Sequence, residues 1–123
     1  MSQSVSKVFG EVIFAYTRQN AIEDGVLVDV SAIARTAGFK LPCVFTAALF
    51  ADVEEFASDN PELDVKRAIR KTCRSAVETI RHSGASGADV YFTPSGARGE
   101  VRCNVGHGDN GEAVITIGYP EDF

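Results

Sequence analysis

Long apolar runs are absent from this chain of 123 residues. No stretch approaches the ~20 residues that a membrane-spanning helix needs. The first residues, MSQSVSKVFGEVIF, carry one Lys and only a brief apolar patch, which makes a poor secretory signal. The expected location is therefore the cytoplasm, with no membrane partner. Cysteine is scarce, with three residues (Cys43, Cys73 and Cys103) set far apart. An odd, widely spaced set argues against a disulfide framework and fits a reducing compartment. There is no C-x-x-C pair and no His–Cys spacing for a zinc site, so no metal is expected. Spacings of the G-x-S-x-G, H-E-x-x-H and EF-hand kinds are also missing. With no visible nucleophile, metal or cofactor motif, the chain reads as a non-enzyme without a cofactor. Repeats, low-complexity tracts and long linkers are lacking too, which leaves one domain over residues 1–123.

What is present is ordinary globular composition, 45% hydrophobic and 24% charged, and a segregated charge pattern. The formal net charge is −5. The stretch from Asp52 to Asp64 holds Asp52, Glu54, Glu55, Asp59, Glu62 and Asp64 and no base. The next stretch holds Lys66, Arg67, Arg70, Lys71, Arg74 and Arg81 against a single acid, Glu78. Asp109, Glu112, Glu121 and Asp122 close the chain with no Lys or Arg among them.

Local patterns predict helices first and strands second. Thr17 can cap a short helix, Arg18 to Asp24, ended by Gly25. VLVDV (26–30) alternates and reads as a strand of open placement, at an edge or in a separate ribbon. Ser31 can cap a second short helix, Ala32 to Ala37, closed by Gly38. Pro42 suits the first turn of a longer helix to about Ala57, with Phe45, Leu49, Val53 and Phe56 on its core face. Asp59 or Asp64 caps the next helix, whose apolar stripe runs Val65, Ala68, Ile69, Cys73, Ala76, Val77 and Ile80. At 100° per residue the bases fall on its opposite side. After SGASG (83–87) the period changes to two, and VYFT, EVRCNV and AVITIGY read as strands. The expected fold is α+β, with N-terminal helices (two short, two longer) packed on a C-terminal three-stranded antiparallel sheet.

Two charged surfaces and one loop are candidate sites. The basic helix, through Arg67, Arg70, Lys71 and Arg74, can bind a partner or track phosphates. It can equally be a solvated face neutralised by the acids of Asp52–Asp64, although exposed pairs contribute only ~0–1 kcal/mol each. No aromatic interleaves with these bases, which weakens single-strand stacking. The acidic surface, Asp52, Glu54, Glu55, Asp59 and Glu62, can engage the cationic channel of a nucleic-acid-handling machine. GHGDNGE (106–112) places His107, Asp109 and Glu112 on a Gly-rich turn, where acid–base work competes with a plain hairpin reading.

Three blocks carry a resemblance. VFGEVIFAYTRQNAIEDGVLVDVS (8–31), AGFKLPCVFTAALFADVEE (37–55) and GHGDNGEAVITIGYPED (106–122) resemble a family of small uncharacterised proteins from bacterial chromosomes, plasmids and prophages. Phe50 stands where that family has Trp, and His107 where it has Pro in the turn. The resemblance supplies no activity, cofactor or catalytic residue. It implies a mobile-element setting, in which short proteins often inhibit host defence machinery. The expected function is thus a non-enzymatic binder, such as a counter-defence (anti-CRISPR-like) inhibitor, acting on a host protein complex of the CRISPR–Cas kind. The alternative is accessory nucleic-acid binding through the basic helix, residues 66–81. An uncovered apolar sheet face would favour a homodimer.

Overall fold

In the computed structural model, which describes residues 16–83 and 89–123, Thr17 opens the first helix, α1 (Arg18–Glu23). Residues 1–15 and 84–88, with most of the SGASG linker and the start of the first resemblance block, lie outside the described residues. Six residues are marginal as a helix, and the ends explain how this one persists. Thr17 Oγ1 accepts from Asn20 N at 2.9 Å, and Asn20 Oδ1 accepts from Thr17 N at 3.2 Å. Gly25, at φ 81°, then turns the chain in the left-handed region that favours glycine.

The strand β1 (Leu27–Asp29) leads into α2 (Ser31–Ala37) and β2 (Cys43–Thr46), which runs directly into α3 (Ala47–Ser58). The Asn60–Asp64 connection precedes α4 (Val65–Ser83), and Asp64 Oδ1 accepts from Arg67 N at 2.8 Å to cap it. Three strands complete the chain: β3 (Asp89–Phe92), β4 (Val101–His107) and β5 (Ala113–Gly118), with a 3-10 turn at Pro120–Asp122.

Among the described residues the sheet is five-stranded and mixed, in the order β1-β2-β5-β4-β3. β2 and β5 run parallel in its centre, and every other neighbour is antiparallel. The predicted antiparallel meander of β3, β4 and β5 forms, but it is only part of the sheet. VLVDV supplies the edge strand β1.

The helix expected from Pro42 to Ala57 is the principal correction, because its first part is β2. Val44 and Phe45 are 2% and 0% exposed, buried from opposite faces of the sheet. A helix would present only one of them to the core. Pairing with Thr116 and Ile117 of β5 therefore decides the conformation of a segment too short to carry its own period. A second correction concerns Ser31, which does not cap α2. Its hydroxyl instead bridges to β2, accepting from Cys43 N at 3.0 Å and facing Cys43 O at 3.3 Å. Asp29 Oδ1 takes the Ser31 N–H at 2.9 Å.

Helices α2, α3 and α4 cover one face of the sheet. Phe45, Cys43, Ile115, Ile117, Cys103 and Val101 point into the core they share with Ala34, Leu49, Val53, Ile69 and Cys73. From the opposite face, Arg18 reaches across from α1. Its Nη1 donates to Thr116 Oγ1 at 2.9 Å and its Nη2 to Ile115 O at 3.0 Å. Over β3 and β4 that face is polar, where Asp89 accepts from Arg102 and Asn104 at 2.8 Å each. Among the described residues no helix is long and apolar enough to cross a membrane.

Candidate functional site

The most amphipathic element positions the strongest candidate surface. In α4, Ala68, Ile69, Thr72, Cys73, Ala76 and Val77 are buried, while Lys66, Arg67, Arg70, Lys71, Arg74 and Arg81 are exposed. Helical spacing of three and four stacks the bases in neighbouring rows on one side. Arg67, Arg70, Lys71 and Arg74 together line a depression of about 290 Å³. Two further hollows adjoin it. One, of about 200 Å³, runs between Lys71 and Arg74 and the turn at Pro94–Gly96. The other, of about 400 Å³, lies between Arg67 and Lys71 and the Asn60–Leu63 turn. Phe56 and Leu63 line both hollows, so the two form one groove with an apolar floor and a cationic rim. A Cβ at Gly96 would lie 3.4 Å from the Phe56 ring, which shows how closely the turn of the far wall packs on the floor.

These cations are not neutralised by the neighbouring acids. Among the described residues, Arg74 alone of the α4 bases has a carboxylate partner, Glu78 of the same helix at 3.6 Å. Both of those side chains are more than half exposed. Arg67 Nη1 donates to a main-chain oxygen, Glu62 O, at 3.1 Å. The internal neutralisation considered from sequence does not form.

The five acids proposed as a surface separate into different roles. Asp52 is held in place: its Oδ2 accepts from Tyr119 Oη at 2.6 Å and from Arg98 Nη1 at 3.3 Å. Arg98 also donates to Glu121 at 2.7 Å, its backbone N–H donates to Tyr119 Oη at 2.9 Å, and its guanidinium lies 4.0 Å over the Tyr119 ring. Burial first, and the bond to Asp52 second, push the Tyr119 phenol up to about 12. This cluster ties the 94–100 loop, α3 and the final turn together. Glu54, Glu55, Asp59 and Glu62 remain exposed with no ion pair among the described residues.

The GHGDNGE loop is a structural hairpin. Asp109 gives one oxygen to Arg18 N at 2.8 Å and the other to Gln19 N at 2.9 Å. With Thr17 and Asn20, it completes the pairing of all four N-terminal donors of α1. Glu112 folds back so that its Oε1 accepts from Asn110 N at 3.0 Å. His107 is exposed, and no side-chain hydrogen bond orients it among the described residues. Both Asp109 oxygens are thus engaged by α1, and among the described residues neither bonds to His107.

The three cysteines converge beneath the helices, all free and buried. Contact with Cys73 and burial drive the Cys43 thiol far above its ordinary range, and burial pushes Cys103 up to about 12. No group of His, Cys, Asp and Glu among the described residues is arranged to hold a metal ion.

Sequence reasoning located the bases but not the groove. Its spacing from Val53 and Leu49 predicts Phe56 on the core face, whereas it is half-buried and lines the groove. The opposite wall comes from Pro94–Gly96, which no local pattern connects to α4. The chain matches no family model, no curated protein and no solved structure.

Proposed function

We propose that the protein is a non-enzymatic binding protein that engages an anionic partner through the basic face of α4. One observation carries this reading: Arg67, Arg70, Lys71 and Arg74 gather on one depression, and among the described residues Arg74 alone of the four is paired to a carboxylate. In a chain of net charge −5, such a concentration of cations focuses attraction on one surface and directs encounter there. The mobile-element setting implied by the resemblance makes a host nucleic-acid-handling complex, of the CRISPR–Cas kind, the proposed target. Inhibition would follow from occupying an acidic surface that the complex needs.

The test is capture of partners from a lysate of bacteria bearing defence systems, with and without nuclease. It compares the wild type with a variant carrying Arg67→Glu, Arg70→Glu, Lys71→Glu and Arg74→Glu. All four side chains are exposed, so an unchanged circular dichroism melt is expected. A stoichiometric protein partner should survive nuclease with the wild type and disappear with the variant. Reversal of Glu54, Glu55 and Asp59, which lie outside the groove, should leave it in place. Loss on reversing the acids instead would move the working surface to α3, and retention by both variants would exclude both surfaces.

A further inference from the structure

We infer that the groove beside α4 takes a short acidic peptide segment of a protein partner, with one apolar side chain of that segment seated on Phe56 and Leu63. This rests on the reading of α4 as the working surface and specifies what occupies it. The rim and floor differ in chemistry. Arg67, Lys71 and Arg74 supply charge along one wall, while Phe56 and Leu63 give an apolar floor shared by two connected hollows of about 400 and 200 Å³. A side chain placed on that floor loses water, and the flexible cations around it can close over carboxylates on either side, the usual layout of a binding hot spot within its rim.

The length of the groove limits the ligand. Arg67 and Arg74 are two helical turns apart, about 10 Å along the axis. That distance matches about three residues of extended peptide. Acids bound this stretch: Glu62 on the turn that lines the larger hollow, and Glu78 one helical turn past Arg74 on α4. A long polyanion running on along α4 meets Glu78, whereas a short acidic segment ends before it. Nucleic acid would also need exposed rings for stacking or a continuous cationic track. The large exposed hydrophobics of the described residues, Tyr16, Val26, Leu41, Tyr91 and Phe123, all lie outside the groove.

Fluorescence anisotropy on the full chain tests this with three labelled probes. They are a short peptide of glutamates around a single Phe, the same peptide with Ala in place of Phe, and an oligothymidylate of equal charge. The Phe peptide should bind most tightly, weakening about tenfold when Phe becomes Ala, as expected for one buried side chain. Lys71→Glu should abolish binding of both peptides. Leu63→Ser should weaken only the Phe peptide, and its melting curve separates this from unfolding. Equal binding of the two peptides, or tighter binding of the oligonucleotide, would overturn the inference while leaving α4 as the working surface. Binding of every probe that ignores the charge reversal, or no binding at all, would overturn both.

Discussion

Tyr119 is 2% exposed, yet its hydroxyl is the meeting point of three parts of the chain. It donates to Asp52 on α3 and accepts the N–H of Arg98 from the loop before β4. Tyr119→Phe keeps the ring packing and removes both bonds. The expected cost is about 1–3 kcal/mol, because a carboxylate and a backbone donor lose their partner together. Urea unfolding of the two proteins measures it, and an unchanged midpoint would show that water replaces the hydroxyl without loss. The same residue shapes the alkaline limb of stability. Tyr119 and Cys103 are both pushed up to about 12, above their unfolded values of roughly 10 and 8.5. Folding therefore holds their protons more tightly. The contribution is complete below the unfolded values and declines as pH rises, disappearing as it passes through the folded ones. Stability should fall progressively above about pH 9, and a urea midpoint that stays flat from pH 8 to 11 would contradict this. Nothing in the residues around Cys103 or Tyr119 announces these partners, since Asp52, Cys73 and Arg98 are brought to them only by the fold.

The smallest helix shows how an element can depend on a distant side chain. Thr17 and Asn20 close a capping box from within α1, but Arg18 N and Gln19 N take Asp109 from the β4–β5 turn. Asp109→Ala should cost about 1 kcal/mol, the usual value of a lost cap. It should also increase hydrogen exchange at the Arg18 and Gln19 amides, and unchanged protection there would show that the cap is dispensable. Thr17 and Gly25 make this helix legible from sequence, while Asp109 reads as turn chemistry or an acid–base candidate and gives no sign of its part in α1. The same division appears elsewhere. The nineteen residues of α4 hold their period long enough to identify themselves. The four residues of β2 do not, and Pro42 before them gave a helix start more support than it deserved. Where an element's evidence lies within its own residues, it can be read; where it lies in a partner strand, it cannot.

At the scale of the molecule, the α+β class and the basic helix were evident in the order of the residues, and the mixed sheet was not. A run of helices followed by a run of strands suggests two segregated halves. Instead, β1 and β2 come from among the helices and join the later strands through one parallel pair. The candidate groove has the same character. Its rim belongs to one helix, while its floor draws Phe56 from α3 and Leu63 from the connection, and its far wall is the turn between β3 and β4. The charge is also separated at this scale. Because the cations of α4 form no ion pair with the acids before them, the domain keeps exposed bases on α4 and exposed acids on and just after α3.

The parallel pairing also sets an order of events during synthesis. Cys43, Val44 and Phe45 find their partners in Ile115, Thr116 and Ile117, which the ribosome makes only after it has made α1 to α4. Until then the inner edge of β2 has no neighbour, and the long loop between the two strands must be closed before the pairing returns any energy. A nascent chain that has reached α4 thus carries an open, apolar strand edge of the kind that invites contact between chains. The last strand of the sheet to be made is the one that protects the first half of the protein from its own copies.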